Sequence, residues 1–261
     1  MFFNIILCII AVLSIIGIFF YRKNQGDPKA KLIAISLFVV ALLSIFLFSI
    51  RSMRGDCLSS AITQLNYTKA SGFGLAKRLA EKYSGGKVLL VTNSPDPENE
   101  TRNSFIDGFK EGLGDSMKEL EIVAPHVTPP YPLGPNPDEI MKGIDVRSYM
   151  TAEDINKLTA KHRDCNIIVM SVGLPRENLG DLSFFKNSSK RPVVAVISNN
   201  TTSLPLIKEG YLSCQVIYKP GFQVPENDST SDLNVLFDKA YLLVNKENVT
   251  EVIQEFKKSF K

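Results

Sequence analysis

Histidine and nucleotide-binding motifs are scarce in this chain, and their scarcity limits the chemistry that it can perform. Only two of the 261 residues are histidines, His126 and His162. A Ser-His-Asp site would need one of them beside an activated serine, yet no G-x-S-x-G segment occurs. No G-x-G-x-x-G segment follows the first predicted strand, and there is no G-x-x-x-x-G-K-[ST] segment. The sequence therefore predicts no catalytic residues, no cofactor and a protein that is not an enzyme.

Cysteine is also sparse, and its distribution argues against a metal centre. Cys8 lies in an apolar N-terminal run, while Cys57, Cys165 and Cys214 are scattered without C-x-x-C spacing. Such a set is neither a zinc site nor a disulfide framework. One bridge among the last three stays open beside the interpretation as buried thiols. The formal net charge of +3, without a basic run interleaved with aromatics, does not suggest nucleic acid as a partner.

Two long apolar runs occupy the N-terminal fifth of the chain, at residues 2–20 and 32–50. Each is about as long as a helix needs to cross a ~30 Å hydrocarbon core. The first run is unlike a cleaved signal peptide, because no Lys or Arg precedes it and it ends in Phe19, Phe20 and Tyr21. We therefore expect an integral membrane protein with a two-helix transmembrane anchor at residues 1–54 and one soluble domain at residues 55–261.

Basic residues predict the orientation of this anchor. Four of them lie between the runs, at positions 22, 23, 29 and 31, against Arg51 and Arg54 after the second run. The positive-inside rule then places the connector in the cytoplasm. The soluble domain is accordingly expected to be extracytoplasmic.

Short apolar runs rich in β-branched residues alternate with helical patterns through the rest of the chain. The five predicted strands are residues 87–92, 121–124, 166–171, 192–198 and 214–218. The predicted helices are residues 68–83, 101–113, 151–161, 179–187, 204–209, 231–244 and 249–260. This alternation predicts an α/β domain with a doubly wound, mostly parallel sheet that is covered by helices on both faces.

Small polar residues follow the predicted strands, where open α/β sheets bind their ligands. These candidates for binding a small polar ligand are Asn93, Ser94, Asp96, Ser171, Gly173, Ser198, Asn199 and Asn200, with Thr92, Lys219 and Gly221 at the same edge. A second interpretation stays open, because Ser, Asn and Gly also serve turn geometry at strand ends.

The run from Ser71 to Leu113 combines a small-residue helix, a strand at 86–91, a polar turn at 93–99 and a helix containing Arg102 and Gly108-Phe109. It resembles one lobe of the type I periplasmic-binding-protein superfamily, which includes the sugar-responsive repressors. Residues 164–171 and 191–200 resemble two later strands of that lobe. The resemblance implies a Rossmann-like lobe that binds a small polar ligand, with Asn93, Asp96, Arg102 and Asn199 at the matching positions. Family members close two such lobes around the ligand, whereas this chain has room for one.

The proline-rich segment 125–139 is predicted to be neither helix nor strand. Long irregular loops in compact domains are usually functional or disordered. Tyr131 and Leu133 within it are candidates for docking a partner protein, because extended segments with an exposed aromatic suit such contacts.

Three functions stay open. We favour a membrane-anchored, extracytoplasmic binding or sensing module, because a freely diffusing ligand carrier would not need two membrane spans. Its partners would be the membrane, membrane proteins or a second copy of the chain, and a small polar ligand. The first alternative is a non-catalytic structural subunit of a membrane protein complex. The second is a flavodoxin-like enzyme whose strand-end loops hold a phosphate.

Overall fold

The computed structural model describes residues 28–93, 96–127, 146–186 and 191–259. Two compact units can be distinguished, residues 1–62 and 63–261. The predicted span 2–20 and the candidates Ser94, Tyr131 and Leu133 lie outside the described residues. The predicted domain boundary after residue 54 stays a prediction.

Helix α1 runs from Pro28 to Lys82. Proline suits a helix start because its φ is already helical and its missing N–H is not needed there. The predicted second span, residues 32–50, lies within α1, and five of its apolar side chains are 41–54% exposed: Phe38, Val39, Val40, Leu42 and Leu43. In the described part of the chain, no helix is both long enough and apolar enough to cross a membrane.

Six strands form one sheet. They are β1 (Lys87–Val91), β2 (Glu119–Val123), β3 (Ile167–Met170), β4 (Val193–Ile197), β5 (Cys214–Tyr218) and β6 (Tyr241–Asn245). Their order is β2-β1-β3-β4-β5-β6, with the first five parallel and β6 antiparallel to β5. The α/β class and the mostly parallel sheet are confirmed. The order of the first five strands is that of flavodoxin-like sheets, with its switch between β1 and β3.

The helices after α1 connect these strands. They are α2 (Glu100–Leu113), α3 (Ala152–Lys161), α4 (Ser183–Lys186), α5 (Leu204–Lys208), α6 (Leu233–Ala240) and α7 (Val249–Ser259). Single 3-10 turns lie at 114–116, 146–148, 179–181 and 201–203.

Alternate residues of the central strands face two separate hydrophobic cores. Leu89 and Val91 pack with residues of α3, α4, α5 and α7. Val88 and Leu90 pack with residues of α1, α2 and α6. All four are fully buried, as expected for a parallel strand covered on both sides. The predicted doubly wound arrangement is therefore confirmed.

The number of strands is where the predicted fold was wrong. A helix was expected over 231–244, but α6 ends at Ala240 and Tyr241 begins β6 at once. The sequence predicted one continuous helix because apolar residues recur there at helical spacing: Leu233, Leu236, Phe237, Tyr241 and Val244. Only Tyr241 and Val244 of β6 are buried, so this edge strand lacks the alternation that identifies a strand. It is held instead by pairing with β5, from Tyr218 opposite Tyr241 to Cys214 opposite Asn245.

A close contact between α1 and α2 orients the residues that follow β1. A Cβ on Gly108 would lie 2.0 Å from the carbonyl oxygen of Lys69, so no larger residue fits there. Nearby, the Ser104 hydroxyl donates to the Leu65 carbonyl oxygen at 2.8 Å. These contacts pack the second and third turns of α2 closely against α1.

Candidate functional site

A cavity of about 250 Å³ opens at the carboxyl ends of β3 and β4. One wall is polar and comes from the segment after β4, through Ser198, Asn200, Thr202 and Ser203. Ser198 and Asn200 are among the residues proposed from the sequence. Their position fits the rule that ligands bind outside the carboxyl ends of parallel strands, although binding itself stays a prediction.

The opposite side of the cavity comes from the connections after β2 and β3. Leu174 and Pro175 are buried and form apolar lining. Arg176 is exposed, while Arg147, from the 3-10 turn ahead of α3, is half-buried. The cavity thus combines an apolar surface with two guanidinium groups and several hydroxyl groups.

A buried glutamine holds the polar wall in place. Gln215 of β5 has no exposed surface. Its Nε2 donates to the carbonyl oxygens of Ser198 at 2.7 Å and Asn200 at 2.9 Å. Its Oε1 accepts from the Ser203 hydroxyl at 2.8 Å. A buried amide is tolerated in an apolar sheet only with such partners. The three hydrogen bonds of Gln215 therefore tie β5 to the segment after β4.

Local bonds complete the shape of this wall. The Asn200 side-chain oxygen accepts from the Thr202 N–H at 2.9 Å and caps the 3-10 turn 201–203. The Ser198 hydroxyl accepts from the Asn200 N–H at 3.2 Å. A hydroxyl that accepts keeps its own proton for donation, so Ser198 retains a donor.

Gly173 is the predicted residue that positions Arg147. Its φ is +79°, a conformation that residues with a side chain adopt only with strain. A Cβ at this position would lie 3.2 Å from Arg147 Nε and 3.3 Å from its Cδ. Glycine therefore permits both the turn after β3 and the close packing of the Arg147 side chain against it.

The predicted residues after β1 form a turn that bonds within itself and do not line the cavity. The Asp96 carboxylate accepts from the Glu98 N–H at 3.0 Å. The Asn99 side chain caps α2 by accepting from the Arg102 N–H at 2.9 Å, and Arg102 Nε donates to the Asn93 carbonyl oxygen at 2.9 Å. Partial burial lowers the pKa of Arg102, an effect opposed by the nearby Asp96 carboxylate. For Asn93, Asp96 and Arg102, contact with a ligand stays a prediction.

Ser171 and Asn199 also make structural bonds. The backbone N–H and hydroxyl of Ser171 both donate to the Val91 carbonyl oxygen, at 2.9 and 3.1 Å. The side-chain oxygen of Asn199 accepts from the Tyr218 N–H at 3.3 Å. These two candidates join neighbouring strand ends.

A small cluster of side chains lies away from the cavity, near the amino end of β3. It comprises Glu121, Asp164 and Cys165, whose carboxylate oxygens and thiol sulfur lie within 4.8 Å of one another. Lys87 pairs with Asp164 at 2.6 Å, and His162 contacts Glu121. Burial raises the pKa of Cys165 to about 11, so this thiol stays protonated at neutral pH. Cys165 and Cys214 are free and buried, in agreement with the interpretation as buried thiols.

Five polar residues of the candidate site were not predicted from the sequence: Arg147, Arg176, Thr202, Ser203 and Gln215. Arg176, Thr202 and Ser203 lie beyond the first residues after each strand, to which the strand-end rule points. Arg147 belongs to the connection between β2 and α3, which also leaves a carboxyl strand end. A single amide in the apolar run 214–218 was the available signal for Gln215, since such a side chain needs buried partners.

No protein-family model matches the sequence, and no curated protein matches it. Solved structures similar to this chain are named as solute-binding proteins, the class indicated by the resemblance of Ser71–Leu113. A sugar-binding protein of a sugar ABC transporter from Bacillus halodurans is 15% identical, with 70% of this chain and 63% of that chain covered and a TM-score of 0.44. GanP, a glucose-galactose binding protein from Geobacillus stearothermophilus, is 14% identical, with 69% and 61% covered and a TM-score of 0.46.

AraP, an arabinose binding protein from Geobacillus stearothermophilus, is 14% identical, with 70% of this chain and 62% of that chain covered and a TM-score of 0.43. The chain thus spans 61–63% of the length of these three structures.

Proposed function

We propose that this chain is a membrane-anchored, extracytoplasmic module that binds or senses a small polar ligand. The observation that carries the proposal is the cavity of about 250 Å³ at the carboxyl ends of β3 and β4. Apolar lining with a few converging polar groups is typical of small-molecule sites.

Two features of the chain support the membrane anchor. Five consecutive or near-consecutive apolar side chains between Phe38 and Leu43 are exposed on α1. They cover more than one face of the helix, whereas a helix packed on a water-soluble core shows one apolar stripe. The four basic residues at 22–31, against Arg51 and Arg54 directly after the second apolar run, support an extracytoplasmic soluble domain.

Ligand binding is tested on the full-length chain in detergent micelles, by thermal unfolding with D-glucose, D-ribose, glycine, succinate and inorganic phosphate. A ligand at a hundredfold excess over its Kd stabilises by about 2.7 kcal/mol, which corresponds to a rise in Tm of roughly 5–10 °C. We expect Thr202→Val to reduce this rise. Thr250→Val on the exposed face of α7 is the matched control and should leave the rise intact. A Tm unchanged by every compound would refute the binding function.

Orientation is tested by reporters fused after Lys261. An extracytoplasmic domain predicts an active alkaline phosphatase fusion and a dark cytoplasmic fluorescent fusion. The reverse pattern would refute this location.

A structural subunit of a membrane complex is the second candidate, because the exposed apolar residues of α1 also suit partner helices in a membrane. It predicts a stoichiometric partner on purification in mild detergent and no ligand-dependent change in Tm. Deleting residues 128–137 should then leave folding intact but weaken assembly, as expected if Tyr131 and Leu133 dock the partner. Assembly unchanged by the deletion would count against that role.

A further inference from the structure

The charged side chains that line the cavity carry one sign. Arg147 and Arg176 supply two guanidinium groups, and the described residues lining the cavity include no Asp or Glu. Arg176 forms no ion pair with any carboxylate within the residues that the structure describes. A guanidinium presents a planar fork of N–H donors that matches the oxygens of a carboxylate or a phosphate.

The acceptors of the polar wall are already engaged. The Ser198 and Asn200 carbonyl oxygens accept from the buried Gln215 amide, at 2.7 and 2.9 Å. The Asn200 side-chain oxygen accepts from the Thr202 N–H at 2.9 Å. A neutral sugar hydroxyl needs acceptors as well as donors to satisfy its hydrogen bonds. The Asn200 carbonyl oxygen also accepts from the Ser203 hydroxyl at 3.1 Å, which uses both of its lone pairs, so this wall keeps fewer free lone pairs for such a hydroxyl than its oxygen atoms suggest.

Hydroxyl donors remain on the same wall. Ser198 accepts a backbone N–H and therefore keeps its proton to donate, and the exposed Thr202 brings a second hydroxyl. On the other side, Arg147 is held close to Gly173, with Nε 3.2 Å from where a Cβ would stand. The apolar Leu174 and Pro175 lower the local dielectric, which strengthens a charge-assisted hydrogen bond.

We propose that the ligand of this cavity carries an oxyanion, a carboxylate or a phosphate, bound by Arg147 and Arg176 with hydroxyl donors from Ser198 and Thr202. The inference rests on the proposed binding function and names its ligand class. A cavity of about 250 Å³ is smaller than the ~300–1,000 Å³ typical of sites for drug-sized molecules. The ligand is therefore a small metabolite with few carbon atoms beyond its charged group.

The test uses the full-length chain in detergent micelles and isothermal titration with inorganic phosphate, succinate and neutral D-ribose. We expect one of the two anions to bind with a stoichiometry of one, and which of them binds distinguishes a phosphate site from a carboxylate site. Arg176→Gln should weaken that binding about tenfold or more, because a hydrogen bond to a charged group is lost. Arg176→Lys should retain part of the affinity through its charge. Arg78→Gln, on the exposed surface of α1, changes the net charge equally and should not affect binding.

The outcomes separate this inference from the proposed function. Ribose binding that depends on Thr202, without binding of either anion, would overturn the oxyanion inference and leave the binding function standing. Anion binding equal in Arg176→Gln and the parent would also overturn it, because the cavity would then not be the site. Failure of all three compounds to bind would refute the inference, and the wider compound panel above then decides the binding function separately.

Discussion

The loop after β1 and the loop after β4 are similar in composition but differ in where their hydrogen bonds go. Both lie at carboxyl strand ends and contain asparagine beside short polar residues. In the first loop, Asp96 and Asn99 bond to backbone N–H groups within the turn and the first turn of α2. In the second, Gln215 from the neighbouring strand takes the carbonyl oxygens of Ser198 and Asn200 from beneath.

This difference shows why polar composition at a strand end does not identify a ligand site. When the side chains of a loop bond to backbone N–H groups of the same loop and of the next helix, they cap that helix, and their oxygen atoms are already hydrogen-bonded. A loop whose acceptors are taken by a buried side chain is rigid and presents its remaining donors outwards. Described residues of the second loop line the cavity at β3 and β4, whereas those of the first loop do not line it. Variants that act on one loop and not on the other can therefore test whether the two loops differ in function.

Gln215→Leu should have the largest effect, because it removes the support of the second loop. Two half-buried carbonyl oxygens lose the Nε2 donor, and the buried Ser203 hydroxyl loses one of its two acceptors. Each unsatisfied buried group costs about 1–3 kcal/mol, so we expect the free energy of unfolding to fall by roughly 2–4 kcal/mol. Denaturant titration measures it. Gln254→Leu, at an exposed position of α7, is the control, and an equal loss in both variants would contradict the role of Gln215.

Gly173→Ala should have the next largest effect. Both Gly173 and Gly221 have positive φ, +79° and +73°, so alanine at either position should cost about 1–2 kcal/mol of stability. A Cβ would meet Arg147 only at Gly173, since nothing lies within 4 Å at Gly221. We therefore expect weaker ligand binding in Gly173→Ala alone, measured by titration beside Gly221→Ala. Matching affinities in the two variants would show that the Arg147 contact does not matter.

Asn99→Ala and Asn200→Ala remove comparable caps from the two loops. Asn99 accepts from the Arg102 N–H and Asn200 from the Thr202 N–H, each at 2.9 Å. Loss of such a cap costs about 1 kcal/mol, measured by thermal or denaturant unfolding. Only Asn200→Ala should also weaken ligand binding, because it frees the segment that carries Thr202. If Asn99→Ala weakens binding as much, both loops belong to one site.

Much of the fold could be predicted from the sequence, because buried parallel strands are near-continuous apolar runs. The five parallel strands were located to within two or three residues, and Cys214–Tyr218 matched at both ends. The strand Tyr241–Asn245 could not be found in the same way. Only two of its five residues are buried, and its position depends on pairing with β5, a contact between residues distant in sequence.

The candidate site was predicted in part, since the strand-end rule selects loops and not side chains. It selected Ser198 and Asn200, which line the cavity, and Gly173, which contacts Arg147. It also selected Asn93 and Asp96, and the family resemblance added Arg102; composition does not distinguish the local bonds of this loop from ligand contacts. Arg147 was missed because its packing against Gly173 is a contact between residues distant in sequence.

Asn93→Ala should have the smallest effect and gives the cleanest test of the first loop. The side chain of Asn93 is exposed, and Arg102 bonds to its backbone carbonyl oxygen, which alanine also provides. A surface substitution of this kind changes stability by less than about 0.5 kcal/mol. We expect thermal unfolding and ligand titration to match the parent, with Arg102→Gln as the companion variant that does lose the bond to this carbonyl. A marked loss of affinity in Asn93→Ala would instead return the β1 loop to the binding site and remove the distinction between the two loops.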